Sequence, residues 1–271
     1  MRAMTWIVAV AAVLYVAVCL LVFVFQRRLL YFPSRYPEQA AITAAGRLGL
    51  EPWRDRAGAL VGWRAETRGS AVARALVLHG NGGSALDRID VAAGLSGAGV
   101  EVILLEYPGY GARPGAPALA TLEAAAAKAL DELHQEGGAP IWIVGESLGS
   151  GVAGRAVALR PGVVQGLLLL TPFARMSDLV RLHYPLLPSF ILRDRYAPED
   201  DLAGFGGPTV LILAGRDEVV GIEQGRRLAD RLPGPKRVVV QEDVPHNGLD
   251  LDPEGPLWRE IVAFLAAGGR D

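Results

Sequence analysis

Between Trp6 and Phe25 the chain runs W-I-V-A-V-A-A-V-L-Y-V-A-V-C-L-L-V-F-V-F with no charged residue, and Gln26, Arg27 and Arg28 follow at once. Twenty helical residues span about 30 Å, the hydrocarbon thickness of a bilayer. The run predicts a transmembrane helix over residues 6–25. Two other readings compete with it. A cleaved signal peptide has a shorter apolar region and a small-residue cleavage site, whereas this run ends in Phe-Gln-Arg-Arg. A buried soluble helix that is apolar on every face is rare in a domain of this size.

Beyond about Leu48 the pattern changes to short apolar runs separated by longer, mixed segments. Leu60–Glu66, Ala75–Leu78, Val100–Leu105, Ile141–Val144, Gly166–Leu170, Thr209–Leu213 and Arg237–Val240 read as strands. Ala85–Leu95, Leu119–Gln135, a segment from near Ser147 to Leu159, Ile222–Arg231 and Pro256–Ala267 read as helices. Strands apolar at consecutive positions are buried on both faces, and alternation with helices makes βαβ units. The expected fold is α/β, with a mainly parallel sheet flanked by helices. Ligands of such sheets bind at the carboxyl ends of the strands. Phe173–Leu202 breaks the alternation with prolines and large apolar residues, and reads as an inserted cap over the site or a plain helical connection, the small cap being preferred. The expected organisation is therefore an anchor and juxtamembrane segment over 1–36 and one α/β domain over 37–271, with a cap at 173–202.

Composition changes this picture little. Half of the 271 residues are hydrophobic (51%) and 21% are charged, enough apolar material for a large core. The formal net charge of −2 offers no reason to expect nucleic acid. The single cysteine, Cys19, lies in the apolar run, so no intrachain disulfide and no cysteine metal site can form. Arg27, Arg28, Arg35 and Arg47 follow the span and only Arg2 precedes it, which by the positive-inside tendency places the domain in the cytoplasm.

The candidate chemistry sits at strand ends. Ile141–Val144 leads into G-E-S-L-G, Gly145–Gly149, a G-x-S-x-G sequence between a strand and a helix. A sharp turn there exposes the serine oxygen, and the flanking glycines allow close packing. A helix-capping serine is the plainer reading of the pentapeptide taken alone. The motif demands an acid and then a histidine after later strands. Thr209–Leu213 runs into A-G-R-D-E, which places Asp217 past its end; Arg237–Val240 runs into Q-E-D-V-P-H-N-G, which places His246 in the loop. The order Ser, Asp, His is the one that strand-to-helix serine nucleophiles use. Ser147 is thus the expected nucleophile, His246 its base and Asp217 the orienting acid. Glu218 and Asp243 are rival acids, less well placed at the strand end. His134 and His183 are read as structural. The remaining need is a pair of donors for an oxyanion: the backbone N–H of Leu148, next to the nucleophile, and that of Asn81 in His79–Gly83, H-G-N-G-G. His79 is read as a brace for that loop. The loop lacks the lysine and spacing of a phosphate-binding P-loop.

Taken in order, the apolar span, R-R-L-L-Y-F-P (Arg27–Pro33), L-H-G-N-G-G, E-Y-P-G-Y-G (Glu106–Gly111), G-E-S-L-G, G-R-D-E and P-H-N-G resemble the membrane-anchored α/β-hydrolase-domain serine hydrolases. The resemblance runs from the anchor to His246. It implies an α/β-hydrolase fold and hydrolysis of esters or thioesters without a metal or organic cofactor; some relatives remove fatty acyl groups from proteins. Many relatives carry Asp-Tyr-Arg before Gly-Tyr-Gly, where this chain has Glu106, Tyr107 and Pro108. Tyr107 is accordingly expected either to line the substrate site or to pack against the sheet. The expected partners are an acyl ester or thioester, a lipid or lipidated protein among them, and the membrane. A catalytically silent, membrane-tethered binding module, a peptidase and an acyltransferase are the competing functions.

Overall fold

The computed structural model describes residues 1–65 and 69–270. Glu66, at the end of the expected first strand, lies outside them. Eight strands form one sheet: β1 (Glu51–Arg54), β2 (Leu60–Ala65), β3 (Ala73–Leu78), β4 (Val100–Leu105), β5 (Ile141–Glu146), β6 (Val164–Leu170), β7 (Thr209–Ala214) and β8 (Lys236–Gln241). Their spatial order is β1-β2-β4-β3-β5-β6-β7-β8. Only β2 runs against its neighbours, and every other pairing is parallel. This is the α/β-hydrolase fold that the motif order implied.

Successive side chains of a strand point to opposite faces. Leu76 and Leu78 of β3, Ile143 of β5 and Leu167 and Leu169 of β6 therefore enter one core. Ala75, Val77, Val144, Leu168 and Leu170 enter the other. Helices α4 (Leu119–Glu136), α5 (Leu148–Leu159) and α8 (Ile222–Arg231) cover the first face; α2 (Glu38–Arg47), α3 (Ile89–Gly97) and α9 (Leu257–Ala266) cover the second. Within the domain, the ends of the expected strands and helices lie within two residues of expectation, with two differences, while the N-terminal helix extends to Arg2–Leu30, past the expected 6–25. The helix expected from Ala85 begins as a 3₁₀ turn, Ala85–Arg88, where Ser84 and Asp87 cap each other reciprocally, and α3 follows it. Helix α2 and strand β1 were not foreseen: α2 buries only Ala41 and Ala45, too narrow a stripe to read from the pattern.

Helix α1 (Arg2–Leu30) has a mean hydropathy of 3.1 over its most apolar window and is long and apolar enough to cross a membrane. It passes into an extended segment in which Phe32 and Pro33 pair with Gly82 and Gly83, in the loop after β3. The expected cap contains α6 (Met176–His183), a 3₁₀ turn at Ser189–Ile191 and α7 (Pro198–Asp201). Its end belongs to the main body: Pro198 and Asp201 pack against Gly154 of α5, and Tyr196 against Gly151. The overhanging part is thus shorter than 173–202.

Candidate active site

Strand β5 ends in the middle of the sheet, and the chain turns straight into α5. The turn places Ser147 at φ 48° and ψ −115°, a backbone region that non-glycine residues rarely occupy. Its N–H is held by the Leu170 carbonyl at 2.9 Å, and its carbonyl accepts the Ser150 hydroxyl at 2.6 Å. The flanking glycines are sterically required. A Cβ at Gly145 would lie 2.8 Å from the Gly149 carbonyl oxygen, and one at Gly149 would lie 1.9 Å from that of Leu78. Glu146, between Gly145 and Ser147, pairs with Arg88.

Two later strand ends bring their residues to this turn. His246, 6% exposed, lies with Nε2 2.9 Å from Ser147 Oγ and Nδ1 2.7 Å from Asp217 Oδ2. The carboxylate accepts from Nδ1–H, which fixes the tautomer and leaves the Nε2 lone pair facing the hydroxyl. Burial raises the Asp217 carboxyl, but the hydrogen bonds from His246 and from the Val220 and Val219 amides outweigh it, so the net shift is downward. Asp217 is therefore an ionised acceptor at neutral pH. The rival acids lie elsewhere. Glu218 accepts the His246 backbone N–H at 3.2 Å and so holds the loop, while Asp243 is exposed and pairs with Arg216.

The Asn81 amide group anchors its loop through Nδ2, which donates to the Leu30 carbonyl at 2.9 Å. The Asn81 backbone carbonyl accepts from the Phe32 N–H at 2.9 Å and the Tyr110 hydroxyl at 2.7 Å. Leu148 is the first residue of α5, so its N–H has no carbonyl within the helix. Asn81, Ser147 and Leu148 all border one cavity.

Tyr107 does not border it. Its ring is fully buried, 4.1 Å from the His79 ring, and its hydroxyl donates to the His79 carbonyl at 3.1 Å. Of its two expected placements the structure has the packing one, with the ring set against those of His79 and Tyr110 and outside the cavity's lining. His79 Nδ1 lies 2.8 Å from the Gly80 carbonyl, and Nε2 lies 3.6 Å from Glu106 Oε1. Two aromatic rings and a buried carboxylate thus brace the Asn81 loop from behind. His134 ends α4, remote from Ser147 in the fold. His183 was read as structural, yet it borders the cavity. From α6 its Nε2 meets the Val219 carbonyl at 2.6 Å and ties the overhang to the Asp217 loop.

The cavity has a volume of about 530 Å³ and is largely apolar. Five of its lining residues, Val18, Val22, Gln26, Leu29 and Leu30, come from α1. A second cleft of about 440 Å³ has a mixed lining, with His246, Arg88, Glu146, Thr171 and Asp250 in its walls. Among the described residues, no three His, Cys, Asp or Glu side chains converge as a metal site would require.

A sequence model of the alpha/beta hydrolase fold matches residues 76–197. The chain is 34% identical over 266 residues to the uncharacterized protein Rv2307c of Mycobacterium tuberculosis H37Rv, a match that covers 96% of this chain and 94% of that one. It is 27% identical over 196 residues to the lysophosphatidylserine lipase ABHD12 of Xenopus tropicalis, covering 65% of this chain and 51%, about half, of the lipase. Among solved structures, Est1E from Butyrivibrio proteoclasticus with ferulic acid bound superposes with a TM-score of 0.65 at 15% identity, over 76% of this chain and 96% of that one. The monoacylglycerol lipase of Paleococcus ferrophilus superposes with a TM-score of 0.56 at 20% identity, over 76% and 99%. At these identities the two structural likenesses speak for the fold alone.

Proposed function

The chain belongs to the α/β-hydrolase family, and from that premise we propose that it is a membrane-anchored serine hydrolase that cleaves carboxylic esters through an acyl-enzyme. The observation that carries this reading is the hydrogen-bonded series Ser147–His246–Asp217 at three strand ends, with distances of 2.9 and 2.7 Å. In the proposed cycle Ser147 Oγ attacks the ester carbonyl carbon while its proton passes to His246 Nε2. The Asn81 and Leu148 N–H groups receive the negative charge on the carbonyl oxygen, each worth about 3 kcal/mol in the transition state. Collapse of the tetrahedral intermediate breaks the carbon–oxygen bond. The leaving alkoxide takes the proton from His246, and water repeats the sequence to free the acid. Asp217 orients the imidazole and offsets its transient charge.

The apolar cavity suits the acyl arm, and the cleft beside His246, with Arg88 and Asp250 in its walls, suits the alcohol arm. The name of one similar protein, a lysophosphatidylserine lipase, favours an ester of a singly acylated lipid over a peptide. A thioester would use the same steps. The α1 helix supports attachment to a membrane, and the arginines after it support a cytoplasmic domain.

The test is hydrolysis of 4-nitrophenyl butyrate by the purified chain. Wild type should turn it over, and Ser147→Ala and His246→Ala should each lose on the order of 10³-fold or more in kcat. No turnover in the wild type would leave a silent binding module as the better account, and turnover that survives either substitution would overturn the Ser147–His246 mechanism.

A further inference from the structure

We propose that the cap enters the bilayer beside α1, and that the groove between them admits a single long, unbranched acyl chain to Ser147 from within the hydrocarbon layer. The inference rests on the ester-hydrolase reading above and specifies its substrate class.

Val18, Val22, Gln26 and Leu29 recur at the spacing of one helix face, and that face forms a wall of the cavity. Leu179 and Ile191 of the cap form the opposite wall, and Ser147 lies at its base. The two walls are fastened together along much of the helix. Arg27 donates twice to the buried Asp194 carboxylate, each at 2.9 Å, and Tyr31 donates once at 3.0 Å. Gln26 donates to the Ile191 carbonyl and accepts from the Arg193 N–H. Tyr15 donates to the Leu186 carbonyl at 2.9 Å. Tyr15 lies ten residues inside Phe25, roughly 15 Å along the helix. That is the middle of a layer about 30 Å thick. A cap bonded to Tyr15 reaches that depth whenever α1 spans the membrane.

The cap surface fits such a position. Leu182, Tyr184, Leu186 and Phe190 are exposed at 61, 59, 82 and 74%. Backbone groups in hydrocarbon need internal partners. Here Pro185 and Pro188 have no N–H, the Leu187 and Ile191 N–H groups bond to Tyr184 and Pro188, and the Leu186 and Ile191 carbonyls accept from α1. Arg27, Arg28 and Arg193 mark the other end of the contact, where headgroups would begin; Arg28 and Arg193 stack over Phe25 and Phe23.

The direct test uses the full chain in phosphatidylcholine nanodiscs and a hexadecyl fluorophosphonate with a terminal diazirine. Ser147 displaces fluoride from phosphorus, and light then fixes the chain end to whatever lies beside it. We expect cross-links to α1 or to cap peptides within 176–192. A Ser147 adduct whose cross-links all fall elsewhere in the domain would overturn the groove proposal alone. No adduct at all would overturn the hydrolase reading and the groove with it. A second arm compares 4-nitrophenyl hexadecanoate with the butyrate. Val22→Trp should lower the ratio of their kcat/KM values at least tenfold, and Val24→Trp, on the opposite face of α1, should leave that ratio unchanged. An unchanged ratio in Val22→Trp would also overturn the proposal.

Discussion

Ser147 is held in a left-handed backbone conformation by the hydrogen bonds of its own N–H and carbonyl, and His246 and Asp217 meet it through a loop that Glu218 steadies. These contacts also make Asp217 a stabilising residue. Its folded pKa lies below the unfolded value of about 3.9. Its contribution is therefore complete above about pH 4 and fades as pH falls through the folded value. Urea denaturation should show wild type more stable than Asp217→Asn at pH 7, with the gap narrowing at pH 3. A gap that stays constant or widens on acidification would show that the carboxylate is not held as described. The order Ser147, Asp217, His246 was legible in the sequence because each residue follows an apolar strand by a few positions. Tyr107 was not resolved in the same way: an aromatic residue just past a strand end can face the ligand or the core, and only the packing of His79 against it decides.

At the scale of elements, the turn between β5 and α5 depends on glycines that nothing larger can replace. Gly149→Ala sets a methyl 1.9 Å from the Leu78 carbonyl oxygen and should destabilise the protein by about 1–3 kcal/mol, read as a lower thermal midpoint. Gly46→Ala in α2 meets nothing within 4 Å and should raise stability by up to about 1 kcal/mol through helix propensity. Equal effects at the two sites would contradict the steric account. The central strands β3 to β7 were legible because they are buried on both faces and apolar at successive positions, whereas β1, with one buried residue, was not. The working face of α1 was not. A helix apolar all round has no periodicity to mark which side is covered, and Arg27 and Asp194 lie 167 residues apart in the chain. The cap was visible only as a break in the alternation, which marks its place but not its partner.

At the scale of the whole molecule, α1 is proposed to be both an anchor and a wall of the cavity beside Ser147, which would couple membrane attachment to the site. A helix of this length and hydropathy should resist extraction. After an alkaline carbonate wash of expressing cells, the full chain should remain with the membrane pellet and a chain lacking residues 1–25 should not be retained through α1; release of the full chain would contradict a spanning helix. The Arg27–Asp194 pair should tie the two halves together. Arg27→Ala strips a buried carboxylate of two hydrogen bonds and leaves that from Tyr31, and should cost on the order of 3 kcal/mol, measured by denaturant unfolding in detergent. The central claim, that Ser147 is the nucleophile, is tested most directly by mapping the site of a fluorophosphonate adduct by peptide mass spectrometry on wild type and Ser147→Ala. The account predicts one adduct, on Ser147, absent from the variant. An adduct on another serine, or equal labelling of both proteins, would contradict it.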